Sequence, residues 1–148
     1  MELVLRKLMP ADKAQWLELW AGYLTFYEHA LSTEQTELSW QRLLSSSDGL
    51  NALVAEQAGQ LIGLAHYFWT PSTWQQNQDL YLEDLFVSPE VRGNGVGKKL
   101  IEELIQICKN AGGSKVHWQT HFTNKTAIGL YEKLGKQSEF IVFETKLS

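Results

Sequence analysis

The stretch Leu80-Tyr-Leu-Glu-Asp-Leu-Phe-Val-Ser-Pro-Glu-Val-Arg-Gly-Asn-Gly-Val-Gly-Lys-Lys-Leu100 reads as a strand, a turn and the start of a helix. Leu80 to Val87 is rich in aliphatic and aromatic residues, with Glu83 and Asp84 in its middle. Ser88-Pro89 ends the strand, because proline cannot donate to a ladder and restricts the residue before it. Beyond Arg92-Gly-Asn-Gly-Val-Gly97, the residues Val96, Leu100, Ile101, Leu104, Ile105 and Cys108 recur at helical spacing and form one apolar face. Gly112-Gly113 stops that helix.

The turn has the chemistry of an anion site. The first turn of a helix leaves its N–H groups unpaired and carries the positive end of the macrodipole. Glycines there remove Cβ atoms, so an anion can approach the backbone closely. Arg92 and Lys98 bracket the loop with positive charge. A P-loop is excluded: it needs glycine five residues before the Gly-Lys pair and Ser or Thr after the lysine, where this chain has Arg92 and Lys99. A dinucleotide fingerprint begun at Gly93 fits Gly95 but meets Lys98 where a third small residue belongs. What remains is Arg-x-x-Gly-x-Gly at Arg92, Gly95 and Gly97, after a strand and opening an amphipathic helix.

The 148 residues suit a single domain, 1–148, with a sizeable core. The balance of 13 basic and 17 acidic residues, a formal net charge of -4, argues against a nucleic-acid partner and is compatible with a cationic substrate. No apolar run has the length of a membrane span, and the start lacks the pattern of a secretory signal. The one cysteine excludes an internal disulfide. A cytoplasmic protein is the expectation.

In chain order, Glu2 to Leu8 reads as a first strand, and Asp12 as the N-cap of a helix whose broad face carries Trp16, Leu17, Leu19, Trp20, Tyr23 and Leu24. Gly22 weakens that helix. Tyr27, Glu28 and His29 fall between it and a second helix that starts at Ser32 or Thr33 and runs through Trp40 to Leu44. Asn51 to Glu56, the turn 57–60 and Leu61 to Trp69 form a hairpin. A polar loop with Trp74 leads to the central strand. Ser114 to Thr120 is a strand after the glycine-turn helix, and strand–helix–strand at this spacing favours a parallel pair. Asn124 to Gly135 holds a short helix, and Phe140 to Leu147 reads as a last strand. The result is one α/β domain with a mixed sheet.

Arg92-x-x-Gly95-x-Gly97 resembles the acyl-CoA-binding signature of the GCN5-related N-acetyltransferase (GNAT) superfamily. Asn124-x-x-Ala127-x-x-x-Tyr131-x-x-x-Gly135 resembles its second motif, at the expected separation, and the order of elements is similar from end to end. The implied fold is a mostly antiparallel sheet with a parallel pair at the CoA site, flanked by helices. Within the superfamily, Tyr81-Leu-Glu-Asp-Leu-Phe-Val87, Ala65-His-Tyr-Phe-Trp69 and Tyr27-Glu28 look like the diamine (spermidine/spermine) branch and the small fungal acetyltransferases related to histone and D-amino-acid acetylation. The tail from Lys136 departs, carrying little that fixes an amine.

The resemblance implies acetyl-CoA as co-substrate. It places Arg92, Gly93, Asn94, Gly95, Val96, Gly97 and Lys98 at the pyrophosphate and the backbone of Leu85, Phe86 and Val87 along the pantetheine arm. Asn124, Ala127 and Tyr131 complete the cofactor site. Thioester-to-amine transfer needs a base for the ammonium and an acid for the departing thiolate. Glu83, mid-strand between Tyr81 and Leu85, is the candidate base, and Tyr131 the candidate acid. Alternation puts Glu83 and Asp84 on opposite faces. Asp84 either attracts a cationic amine or bonds a neighbouring loop. Tyr27 and Glu28 are further substrate candidates. His117-x-x-x-His121 lies on a strand and its end, where the pair would be well apart, so no metal is expected. Cys108 is read as core. The expected partner is a small primary amine, polyamine-like or amino-acid-like, acetylated by a homodimer, with protein or peptide acetylation as an alternative. A non-catalytic acyl-CoA sensor is the reading of another class, and it leaves Tyr131 and Glu83 without a use.

Overall fold

Apolar residues on both faces of the central strands demand a layer of helices on each side, and the computed structural model, which describes residues 2–148, has that arrangement. Strand β1 (Leu3–Lys7) is followed by helices α1 (Lys13–Phe26) and α2 (Thr33–Ser45). Then come β2 (Asn51–Gln57), β3 (Gln60–Thr70), β4 (Asp79–Val87), α3 (Val96–Asn110), β5 (Val116–Trp118) and α4 (Lys125–Leu134). The sheet order is β1-β2-β3-β4-β5, antiparallel except for the parallel pair β4–β5. The mixed sheet with one parallel pair agrees with the sequence.

One core lies under α3, where Leu100, Ile101 and Leu104 are fully buried against Leu80, Leu82 and Ala65. The other lies under α1 and α2, where Trp16, Trp20 and Trp40 pack on Val54, Leu64 and Phe86. Gly22 has a packing reason: a Cβ there would come within 2.9 Å of Phe86 Cζ. The missing side chain lets α1 close on β4.

Three expectations need correction. Asp12 flanks α1 but makes no side-chain cap bond to it. Its carboxylate is taken by Arg6, through two bonds of 2.8 and 2.9 Å, and by the Met9 N–H. Leu17, placed on the buried face of α1, is exposed. The strand expected over Phe140 to Leu147 is not formed: residues 135–148 are exposed and carry no regular structure after α4. Alternation expresses a preference for a half-buried pleated surface, not where that surface is. The tail meets no sheet edge in its own chain.

The Arg6 pairing sets an acid-dependent part of the stability. Arg6 holds the Asp12 carboxyl below its ordinary value. A group so depressed stabilises the fold above its unfolded pKa, and that contribution is lost as pH falls through the folded value. Asp12→Asn should therefore be less stable than wild type at neutral pH. The gap in unfolding midpoint should narrow as pH drops below the usual aspartate value of about 3.9, measured by thermal melts across the range. A gap that stays constant with pH would assign the loss to packing.

Candidate active site

The site starts from a break in two ladders. β4 pairs with β5 only at Leu80↔Val116, Tyr81↔His117 and Leu82↔Trp118. Beyond Leu82 the strands part, leaving the β5-facing edge of β4 unpaired from Glu83 to Val87. At the same place the β3–β4 register shifts: His66 pairs Asp84 while Tyr67 pairs Leu82, so Glu83 is an extra residue in β4. The expected alternation therefore fails at Glu83–Asp84. Leu80, Leu82, Leu85 and Val87 all pack toward α3, whereas Asp84 and Phe86 face α1.

A cleft of about 340 Å³ opens where the strands part. Its β4 wall is Tyr81, Leu82, Glu83 and Leu85, and its other wall is Trp118, Gln119, Thr120 and His121. Tyr23 and Tyr27 close it from the end of α1, and Tyr131 from α4. Burial, then the charge of Asp84, raises the Glu83 carboxyl above the ordinary glutamate value, the direction a base near neutral pH requires. Burial raises the Tyr131 phenol, which stays protonated and able to donate. Its ring stands edge-on to Trp118 at 5.5 Å, and no hydrogen bond among the described residues takes its hydroxyl.

The glycine turn fits a phosphate group. Gly93 and Gly95 adopt φ of +90° and +78°, and a Cβ built on either would meet nothing within 4 Å, so the loop is an open cradle. Gly95 is the N-cap of α3, whose first amides have no acceptor within the helix. Asn94 Nδ2 braces the turn through Val91 O at 3.1 Å. Val96 is buried beneath it and Lys98 is exposed beside it. Arg92 is used differently from the sequence reading. Its Nε donates to Val87 O at 3.0 Å, and its guanidinium lies over Phe86 and Phe26, at 5.2 and 5.5 Å. It folds back to tie the loop to β4 and α1.

Asn124 caps α4, its Oδ1 accepting the Ala127 N–H at 3.3 Å. That leaves its Nδ2 directed at no partner among the described residues. Gly97 lies where α3, β4 and α4 converge, with a Cβ position 3.7 Å from Val87 and 3.9 Å from Leu130.

The structure thus gathers Glu83, Leu85, Tyr27 and Tyr131 at one cleft. Phe86 is not among the residues that line the cleft, and its side chain is buried under α1. Glu28, at a positive φ of 52°, is exposed and outside the cleft lining. Asp84 bonds His66 at 2.9 Å across the sheet, not a loop. His117 packs on Tyr81, and His121 bonds Thr123. Cys108 is buried on α3, its thiol 3.4 Å from Lys115 O. Sequence reasoning missed Tyr23, which lies one helical turn before Tyr27 and shares its side of α1. It also missed Thr120, whose buried Oγ1 has no hydrogen-bond partner among the described residues.

Known proteins agree with this architecture. Residues 14–136 match the acetyltransferase (GNAT) family. D-amino-acid N-acetyltransferase HPA3 of Saccharomyces cerevisiae is 28% identical over 144 residues, 96% of this chain and 89% of its own. Thialysine N-epsilon-acetyltransferase of Sus scrofa is 32% identical over 120 residues, 73% of this chain and 70% of its own. An aminoglycoside acetyltransferase from an uncultured soil metagenomic sample superposes over 100% of both chains, with a TM-score of 0.78 at 26% identity. A possible acetyltransferase from Clostridium difficile 630 shares the fold, with a TM-score of 0.87 at 15% identity over 100% of this chain and 99% of its own. With both motifs on their elements and the match running from α1 past α4, the chain belongs to the GNAT family of N-acetyltransferases, enzymes that take their acetyl group from acetyl-CoA.

Proposed function

We propose that the protein acetylates the primary amine of a small molecule, polyamine-like or amino-acid-like, with Glu83 as base and Tyr131 as acid. The observation that carries this is the single cleft that Glu83 and Tyr131 both line, opened where β4 and β5 part. The relatives named for D-amino acids and thialysine support a small amine acceptor. Acetyl-CoA supplies the activated acyl group. The amides at the start of α3 take its pyrophosphate, the free edge of β4 pairs with its pantetheine arm, and Asn124 Nδ2 donates to it. Glu83 removes a proton from the acceptor ammonium, directly or through water. Tyr131 returns one to the departing sulfur. Tyr23, Tyr27 and Tyr81 shape the acceptor side of the cleft, their phenols kept neutral by burial. No helix of the described residues is long and apolar enough to cross a membrane, and Cys108 is a buried free thiol; a cytoplasmic location is part of this proposal.

The assembly is a homodimer. Phe140, Ile141, Val142, Phe143 and Leu147 are 65–90% exposed. So much apolar surface in one short segment marks an interaction site. Strand β5 lies at the edge of the sheet, so its outer side can accept a strand from a second copy.

Thiol release from acetyl-CoA across polyamines, D- and L-amino acids and lysine peptides tests the acceptor. Turnover with small amines and none with peptides is expected. Turnover with peptides alone makes this a protein acetyltransferase, and none at all favours a sensor. Tyr131→Phe should lower kcat about 10²-fold while acetyl-CoA still binds. Glu83→Gln should lower the rate at neutral pH and recover in part as pH approaches the alkyl-amine value of about 10.4. A wild-type pH profile in Glu83→Gln would place the base elsewhere. Gly95→Asp puts a carboxylate and a Cβ into the cradle, and calorimetry should show acetyl-CoA affinity falling at least about tenfold. Removal of residues 137–148 should leave a folded monomer in sedimentation equilibrium; a truncated chain that remains dimeric removes the tail from the interface.

A further inference from the structure

Trp16 and His66 stand 50 residues apart in sequence and meet in the core between α1 and the sheet. The Trp16 Nε1–H donates to His66 Nε2 at 3.1 Å, and His66 Nδ1 lies 2.9 Å from Asp84 Oδ2. The two side chains are 4% and 13% exposed for His66 and Asp84. An indole nitrogen can only donate, so His66 Nε2 is an acceptor and the imidazole hydrogen is on Nδ1, donated to Asp84. A second proton on the ring would have to displace the indole. Tyr23, packed on Trp20, meets the same carboxylate, and burial followed by the Asp84 charge drives its phenol well above the usual tyrosine value.

A polar chain inside a tryptophan-rich core is costly compared with apolar packing, and side chains of similar volume without charge would suit the core better. None of Trp16, His66 or Asp84 lines the cleft. The chain nevertheless ends at the residue next to Glu83, on the far side of the register shift that turns Glu83 into the cleft. The groups that act on the two carboxylates come from four elements. These are Tyr23 and Tyr27 from α1 and its end, Arg42 from α2, His66 from β3 and Tyr81 from β4.

We propose that Trp16 and His66 are positioning residues for the acyl transfer: by confining the imidazole to one hydrogen, on Nδ1, Trp16 keeps Asp84 an uncompensated carboxylate behind Glu83. This rests on Glu83 serving as the base. Asp84 then does two things through space. It strengthens Glu83 as a proton acceptor, and it makes the inner end of the cleft selective for an acceptor that arrives as a cation. An imidazolium at position 66 would cancel both effects, because Glu83 would face a neutral ion pair. The indole is the group that prevents it.

The test is carboxyl carbon-13 NMR of Glu83 in the free protein, in wild type, Trp16→Phe and Trp16→Phe/His66→Gln, with thermal melts to confirm folding. Wild-type Glu83 should titrate above the ordinary glutamate value of about 4.3. In Trp16→Phe the freed Nε2 can take a proton, and the Glu83 midpoint should fall by about half a unit to one unit. The double variant has an amide that donates but does not titrate, so the midpoint should return to the wild-type position. A folded Trp16→Phe with an unmoved midpoint, or a double variant shifted as far as the single one, overturns the proposal. Nitrogen-15 spectra of wild-type His66 give a second readout that no unfolding variant can spoil. They should show Nε2 as the nitrogen without hydrogen, and a hydrogen on Nε2 overturns it. The acid limb of kcat/KM for a primary diamine should track the Glu83 midpoint. If the midpoint moves and the limb does not, it is the assignment of Glu83 as base that fails, not the electrostatic chain.

Discussion

One extra residue in β4 is the constraint on which the site depends. Two strands that pair without interruption keep the same residues on the same face along their length. In β4 the register slips at Glu83, so Leu80 and Leu82 before it and Leu85 and Val87 after it all serve the α3 core. Without the slip, Asp84 would point into that apolar core and Leu85 out of it. With it, Asp84 turns to His66 and Phe86 to the ring cluster of α1. Glu83 is left on the edge that β5 abandons after Trp118. Bulge and splay fall at the same residues, and together they make an unpaired backbone edge beside a carboxylate.

The layers on either side hold this edge in position. Under α3, fully buried Leu100, Ile101 and Leu104 fix the helix against Leu80 and Leu82, so its N-terminus and the glycine turn stay close to the end of β4. On the other face, α1 approaches β4 closely because Gly22 yields room to Phe86. Phe86 in turn carries the Arg92 guanidinium that anchors the loop. A contact in the α1 core is therefore linked to the glycine turn through one ring and one side chain. This is how a cradle with open space around its glycines keeps its shape.

What could be read from the sequence was whatever depends on local backbone chemistry. The Arg-x-x-Gly-x-Gly turn, the apolar face of α3 and the short helix after Asn124 require particular residues at particular positions, and each lies where the pattern placed it. The hairpin and the parallel pair were legible for the same reason. Failures came where a partner distant in sequence decides. Asp12 has the profile of a cap, but Arg6 offers it two charged donors and Met9 a backbone one. Arg92 reads as a loop cation, but two rings and a carbonyl claim it. The slip at Glu83 has no signature in the Leu80–Val87 stretch, since two adjacent carboxylates suit an uninterrupted strand equally well. The tail pattern at Phe140–Phe143 is that of a strand, but the pattern does not supply a neighbouring edge, and none is met here.

The proposed base and the proposed acid belong to different elements, β4 and α4. Glu83 is carried by β4, whose position is set by β3 along its whole length. Tyr131 is carried by α4, a helix with no fully buried residue, held by its Asn124 cap and by Trp118 against the phenol ring. Glu83 therefore sits on a strand paired across the sheet, and Tyr131 on a helix with no buried residue. Trp118 is the joint between them: it is the last β5 residue paired with β4 and the ring on which Tyr131 rests. A shift in where β5 leaves β4 would move the acid and widen the cleft together. The separation of Glu83 and Tyr131 thus depends on the backbone at Leu82–Trp118, where the pairing of the two strands ends.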